Sequence, residues 1–351
     1  MEGVVFLGDR RLELMEFPDP TPRPDEVVLE IKASGMCGSD LHFYRASSSG
    51  DGGAQSLGLG GDGSPVIAGH EPCGVVAARG SAVPEALAPI GARVMCHHYN
   101  GCGVCASCRS GWSQLCGEGF VVYGVTGHGA HAPFMCVPAN TLVPLPEALS
   151  FSEGAAISCG TSTAFGAIKR MHLTGAETLA VIGQGPVGLS ATLLAKAMGA
   201  RVIAVDIEPK RLALAEGFGA DTCVDASELD SVEALRELTG GRGVDMALEC
   251  SGNPQARVQA VQATRTWGTV CYVGEGGTVT LDVSRDMIRK QVTLIGSWTF
   301  SHLGQRECAE FIADRGVTLD RIFTHRHRIA DAEKAYTLFD TQTTGKGVFE
   351  F

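Results

Sequence analysis

Four cysteines follow one another as Cys102-x2-Cys105-x2-Cys108-x7-Cys116 in a glycine-rich, loop-like segment. Four thiolates complete a tetrahedral zinc shell with no open position, which marks a structural site. Known zinc spacings favour that reading over four unrelated thiols. A nucleic-acid zinc ribbon would use a similar knot. However, no basic helix follows this one, and the chain carries a net charge of −11 where nucleic-acid binding needs clustered Lys and Arg.

A second pattern, Gly183-x-Gly185-x-x-Gly188, follows an apolar run and opens a helical one. The first glycine allows a tight turn, the second lets backbone approach a pyrophosphate, and the third lets helix pack on strand. The helix N-terminus then offers free N–H groups to phosphate. Alone, this motif also describes a strand–helix turn with no ligand. Here Asp206 ends the next apolar strand 18 residues after Gly188, where a carboxylate can bind adenosine ribose hydroxyls.

Three further pieces carry ligand-type residues: Cys37-Gly38-Ser39-Asp40-Leu41-His42, Gly69-His70-Glu71, and Cys159-Gly160-Thr161-Ser162-Thr163. A catalytic zinc takes about three protein ligands and keeps one exchangeable position. Cys37, His70 and Cys159 would supply two thiolates and an imidazole. Spacing alone does not assemble pieces so far apart, and a lone His beside Glu is usually a surface or satisfied core pair.

The elements that must position these groups fall into two styles. Up to about residue 150 the chain reads as β-rich, with short runs such as 27–31 and 73–77 separated by Pro and Gly. From about 178 strand and helix alternate: strands at 179–182, 201–205, 222–224, 244–248, 269–273 and 293–295, and a helix at 187–198 ended by Gly199. Such alternation predicts an α/β fold with a doubly wound parallel sheet. After 300 two more helical stretches and a final strand, 347–351, are expected to return to the first domain.

Residues 45–64 stand apart, with Ser47-Ser48-Ser49 followed by seven glycines between Gly50 and Gly63. Two readings are open, a flexible surface loop and a flap over the substrate cleft. The uncharged stretch 178–195 mimics a membrane span, but its glycines and Pro186 fit a dinucleotide loop better, so no membrane partner is expected. No leader is evident at Met1-Glu2-Gly3, which points to the cytoplasm. Thirteen cysteines in that compartment read as metal ligands and thiols rather than disulfides. Cys73, Cys96, Cys136, Cys223, Cys250, Cys271 and Cys308 are expected to be ordinary buried small residues.

Taken in order, these motifs resemble the zinc-containing medium-chain dehydrogenase/reductase family, which includes alcohol, sorbitol and threonine dehydrogenases. The resemblance spans nearly the whole chain. It implies a GroES-like β-rich catalytic domain at 1–152, a Rossmann NAD-binding domain at 153–299, and a return to the catalytic domain at 300–351. It implies two zinc ions, one held by Cys37, His70 and Cys159, the other by Cys102, Cys105, Cys108 and Cys116. Cys159 matches the third ligand of alcohol dehydrogenases, where sorbitol and threonine dehydrogenases use a carboxylate; if that match fails, Glu153 is the nearby alternative. Glu71 matches a residue that approaches the zinc, and Asp40 one that orients the ligating imidazole. Ser39 matches the hydroxyl that takes the alcohol proton, and His42 the distal end of its relay. Thr163 and Val187 match positions beside the nicotinamide, Arg211 a basic residue near the adenosine ribose, and Lys346 a C-terminal base at the pyrophosphate.

The expected activity is hydride transfer from a secondary alcohol or polyol to NAD, giving the ketone, by a homo-oligomer, dimer or tetramer. Other readings are an L-threonine 3-dehydrogenase-like enzyme, a primary-alcohol dehydrogenase, a zinc-free reductase, or an NAD-binding structural or sensor relative without turnover. Retention of Ser39, His42 and all the metal-ligand types favours an enzyme. His97, His98 and Tyr99 precede the cysteine lobe, either as polar pocket residues suited to a polyol or as surface residues beside a zinc loop. Trp298, after a strand end, is a further pocket candidate.

Overall fold

The computed structural model describes residues 1–47 and 64–351. Apart from its ends, the Gly/Ser-rich segment 45–64 and both readings of it lie outside the described residues. The chain divides into two compact units, one comprising Met1–Cys159, Phe300–Gln342 and Lys346–Phe351, the other Gly160–Thr299 and Thr343–Gly345.

The first unit is the GroES-like one. Its seven-stranded sheet is organised around the long strand Glu26–Gly35. Pro72–Arg79 pairs antiparallel along most of its length, Phe134–Pro138 takes the start of its other edge, and Lys346–Glu350 takes the end. The chain's last strand thus returns to the first domain's sheet, and it carries Phe323–His327 as a parallel neighbour. An N-terminal hairpin, Glu2–Gly8 with Arg11–Glu16, turns through Asp9 and Arg10 at φ of 51° and 58°. Two such residues form the tight turn that matches strand twist, though without the Asn-Gly signature that betrays it in a sequence. One core cluster joins Val27, Leu29 and Ile31 to Val76, Met135 and Val137; a second joins Met36, Leu41, Tyr44, Tyr336 and Phe349.

The second unit is the Rossmann sheet. Its strands are Thr178–Ile182, Arg201–Asp206, Thr222–Asp225, Val244–Glu249, Thr264–Tyr272 and Thr293–Gly296, all parallel, in spatial order third, second, first, fourth, fifth, sixth. Central strands buried on both faces read as continuous apolar runs, as Leu179–Ile182 and Val202–Val205 do. The uncharged stretch 178–195 resolves into the first strand, the glycine turn and the helix Pro186–Ala197. Among the described residues no helix is long and apolar enough to cross a membrane.

Of the seven remaining cysteines, Cys73, Cys96, Cys271 and Cys308 are buried, but Cys136, Cys223 and Cys250 are only partly so. The expectation of seven buried thiols is corrected to that extent.

Candidate active site

Cys37 ends the turn after the long strand Glu26–Gly35, His70 and Glu71 sit just before its antiparallel partner, and Cys159 closes the segment after the helix Phe151–Ile157. Strand pairing thereby gathers residues 122 positions apart in sequence: the Cys37 and Cys159 sulfurs are 3.9 Å apart. One ligand atom from each of Cys37, His70, Glu71 and Cys159 lies within 4.8 Å of the others, and all four residues are buried. Zinc–sulfur bonds of about 2.3 Å in a tetrahedron set sulfurs about 3.8 Å apart, so the pair is spaced to share an ion.

The electrostatics suit a cation. The Cys37 thiol is held well below its usual value, chiefly by the hydrogen bond from Cys159 and then by His70, against the effect of burial. Cys159, donating that bond and buried, is pushed well above. Burial opposes charge on His70, but Asp40 and Cys37 outweigh it and raise the imidazole well above its ordinary value. His70 Nδ1 stands 2.9 Å from Asp40 Oδ1, which leaves Nε2 as the nitrogen that could ligate an ion. Ser39 Oγ is 3.1 Å from that Nε2. Ser39 is half-buried at the start of the helix Asp40–Arg45, and His42 is exposed in the same helix. Among the described residues no hydrogen bond joins their side chains.

Lys346 departs from expectation. It is 1% exposed, its Nζ donates to Glu71 Oε1 at 2.6 Å and to the Met36 carbonyl at 3.1 Å, and so it is not free for a pyrophosphate. Burial pushes the Glu71 carboxyl up to about 8 against the pull of Lys346. Gly35 makes the room: a Cβ there would stand 2.0 Å from Glu71 Oε2. This buried pair was not legible in the sequence, where Lys346 sits in an ordinary Gly-Lys-Gly run. Glu153 is also accounted for. Its carboxylate accepts from the Ser150 and Asp320 backbone N–H groups at 2.8 and 3.2 Å, capping a helix, which removes it as the alternative ligand.

His97 and His98 are each 1% exposed, which corrects the surface reading. Each ring is lowered by burial, His97 to about 4 and His98 well below its ordinary value. His98 Nδ1 donates to the Ser158 carbonyl at 2.9 Å, and its ring centroid is 5.2 Å from that of His70. Trp298 is 37% exposed.

The cysteine lobe forms its own knot. Cys102 and Cys108 sulfurs are 4.0 Å apart, and Cys105 and Cys116 sulfurs 3.9 Å. Backbone N–H groups of Val104 and Cys105 lower Cys102 to about 6. Gly101 is required beside it, since a Cβ would stand 2.6 Å from Cys108 Sγ.

In the second unit, Gly183 turns at φ +89°, and a Cβ on Gly188 would stand 1.8 Å from the Gly183 carbonyl oxygen. A Cβ on Gly185, at the helix N-cap, would meet nothing within 4 Å. The protein itself does not need that glycine, so the bare space before the helix suits a pyrophosphate. Val187 lies in the first turn of this helix, half-buried, and Thr163 is buried on the helix Gly160–Met171. Asp206 is buried; it accepts from the N–H groups of Gln184 (2.5 Å), Ile207 (2.8 Å) and Glu208 (2.9 Å). Arg211 is partly buried, its Nε 3.4 Å from the Thr344 carbonyl.

Residues 23–147 match the alcohol dehydrogenase GroES-like domain, and 186–314 match the zinc-binding dehydrogenase domain. The chain belongs to the zinc-containing medium-chain dehydrogenase/reductase family, oxidoreductases of the zinc-type alcohol dehydrogenase kind. It is 39% identical to an uncharacterized zinc-type alcohol dehydrogenase-like protein, YphC, of Escherichia coli K12, across 100% of this chain and 99% of that one. It is 34% identical to a sorbitol dehydrogenase of Bacillus subtilis 168, across 78% of this chain and 75% of that one. A zinc-binding dehydrogenase structure from Sinorhizobium meliloti 1021, solved bound to NADP, superposes with a TM-score of 0.86 at 25% identity, across 100% of this chain and 99% of that one.

Proposed function

We propose that this protein oxidises a secondary alcohol or polyol to the ketone with NAD, as a cytoplasmic enzyme carrying two zinc ions. The observation that carries the reading is the buried convergence of Cys37, His70, Glu71 and Cys159 within 4.8 Å. Cys37, His70 and Cys159 would hold the catalytic ion, and Cys102, Cys105, Cys108 and Cys116 the structural one. When bound, zinc supplies Lewis acidity toward the alcohol oxygen and the nicotinamide accepts the hydride.

The chain's own groups do the rest. Asp40 orients His70. Lys346 holds the Glu71 carboxylate beside the ligand set. Ser39 Oγ would take the alcohol proton, and the exposed His42, in the helix that Ser39 begins but with no side-chain hydrogen bond to it, would be the distal group that exchanges protons with solvent. Gly185 leaves the backbone open to pyrophosphate while Gly183 and Gly188 form the turn and close packing behind it, and Thr163 and Val187 would lie beside the nicotinamide. Asp206 would bind the adenosine ribose hydroxyls, with Arg211 as the basic residue near them. The Asp206 carboxylate favours NAD, because a 2′-phosphate would bring like charge against it.

The polyol reading draws on the sorbitol dehydrogenase relative and on His98. Since its Nδ1 carries the proton donated to the Ser158 carbonyl, a neutral His98, whose ring lies beside that of His70, keeps Nε2 as an acceptor suited to a substrate hydroxyl. The test is initial-rate assay of a panel of polyols, secondary and primary alcohols and L-threonine with NAD and NADP, followed by reduction of the matching ketones. Preference for a polyol or secondary alcohol with NAD is expected. L-threonine or a primary alcohol as best substrate would overturn the substrate assignment, and no turnover with any alcohol would overturn the enzymatic one.

A further inference from the structure

A line of buried polar groups leads away from the ligand set into the first unit's core. Ser34, His131 and Tyr336 are each 0% exposed. Ser34 Oγ is 2.7 Å from His131 Nδ1, and His131 Nε2 is 2.6 Å from the Tyr336 hydroxyl. That hydroxyl lies 3.1 Å from Asp40 Oδ2, which also accepts the Cys37 N–H at 2.8 Å. Asp40 Oδ1 then faces His70 Nδ1 at 2.9 Å.

The protons can run only one way. A carboxylate has none to give, so Tyr336 donates to Asp40. The tyrosine oxygen therefore accepts from His131 Nε2–H, and His131 Nδ1 accepts from the Ser34 hydroxyl. Burial lowers His131 to about 4, so the ring is the neutral, single-proton form this order needs. Every donor points toward Asp40. The outermost group, Ser34, is sealed in the core, so the line delivers no proton to solvent.

The backbone is built around this line. Gly69, beside the ligand His70, turns at φ +89°, and a Cβ there would stand 2.3 Å from His131 Nδ1. Phe6 packs edge-on against Tyr336 with centroids 4.9 Å apart, and Phe349 against His131 at 4.8 Å. Both rings are buried and packed against neighbouring aromatics.

We propose that Ser34, His131 and Tyr336 are positioning residues for the metal ligand His70, acting through Asp40: they fix the carboxylate, and the carboxylate fixes the imidazole. This rests on Cys37, His70 and Cys159 being zinc ligands. Outer partners of a ligating histidine set its tautomer and ring orientation, and losing one costs about 10–100-fold in metal affinity or activity. Tyr336→Phe removes one hydroxyl and keeps the ring. Asp40 Oδ2 then keeps only the Cys37 N–H, and the His131 N–H loses its acceptor.

The test uses the full chain in its two-metal form. Loss of metal to a chelator is followed at both sites, with melting temperature and the visible spectrum of protein carrying cobalt at the open site. Tyr336→Phe is expected to speed metal loss from the open site about tenfold, at the low end of the range above, and to shift the cobalt bands. The four-cysteine site in the same sample should keep its wild-type rate. Ser34→Ala, the mildest change, should act in the same direction. Combining His131→Leu with Tyr336→Phe should be no worse than the worse single variant, because both act through one hydroxyl. Wild-type spectra and metal-loss rates in Tyr336→Phe and Ser34→Ala would overturn the inference, as would equal acceleration at both metal sites or additive effects. Wild-type protein that binds a single metal would overturn the reading of the site, and the inference with it.

Discussion

Asp206→Asn separates the two jobs of one carboxylate. In the protein alone, Asp206 accepts N–H groups from Gln184 in the glycine loop and from Ile207 and Glu208. An asparagine has one accepting oxygen, so either the Gln184 bond or the Ile207–Glu208 pair faces an NH2 group instead. Hydrogen bonds to a charged group contribute about 1.5–3 kcal/mol, so stability should fall by about 2 kcal/mol. The second job is cofactor choice. Two unit charges about 4 Å apart at an effective dielectric of about 20 repel by about 4 kcal/mol, about a thousandfold in relative affinity. Removing the charge should therefore raise the NADP-to-NAD ratio of kcat/KM by about two to three orders of magnitude. The assay is kcat/KM for both cofactors with one saturating alcohol at fixed ionic strength, beside urea unfolding. An unchanged ratio in the variant, or wild-type protein that uses NADP as efficiently as NAD, would refute the role of Asp206. It would leave the zinc chemistry untouched.

Cys105→Ser should lower zinc content by one ion and the melting temperature by several degrees, because a structural zinc contributes to folding; an unchanged melting curve would place the lobe outside the folding unit. Stability should also fall on mild acidification. His97 and His131 are each taken to about 4 in the folded protein from an ordinary 6.5, so the unfolded chain binds more protons between those values. The stability is present above about 6.5 and lost as pH falls toward 4, by at most about 3 kcal/mol for each group. Urea unfolding at pH 7 and 4.5 measures it, and His97→Gln should flatten the slope. Gly35→Ala should displace the Glu71 carboxylate from Lys346, destabilise by about 1–3 kcal/mol and reduce turnover more than tenfold; wild-type kinetics would show that the pair does not support the site.

Local spacing carried much of what could be read in advance. The cysteine knot and the glycine turn are short-range features, since ligand and turn geometry there are set within a few residues. Rossmann strands were legible because burial on both faces writes them as unbroken apolar runs. The open site was not, because Cys37, His70 and Cys159 meet only through long-range strand pairing, and only the resemblance grouped them. The N-terminal hairpin was missed because Asp9 and Arg10 take positive φ without a glycine. The strand Phe323–His327 was missed because its Thr-His-Arg-His composition lacks an apolar stripe. His131 and Tyr336 look like ordinary core residues in the sequence, and Lys346 matches a pyrophosphate position that it does not serve here. Their meaning lies in burial opposite Glu71 and Asp40, which no spacing rule encodes.

The most direct test of the central claim is elemental zinc analysis of chelator-free wild-type protein and of Cys159→Ala, with NAD-linked alcohol turnover measured on the same samples. Two zinc ions per chain in the wild type, and one in Cys159→Ala with turnover abolished and the fold kept, is the predicted result. A single zinc in the wild type, or Cys159→Ala retaining two ions and normal turnover, would contradict it.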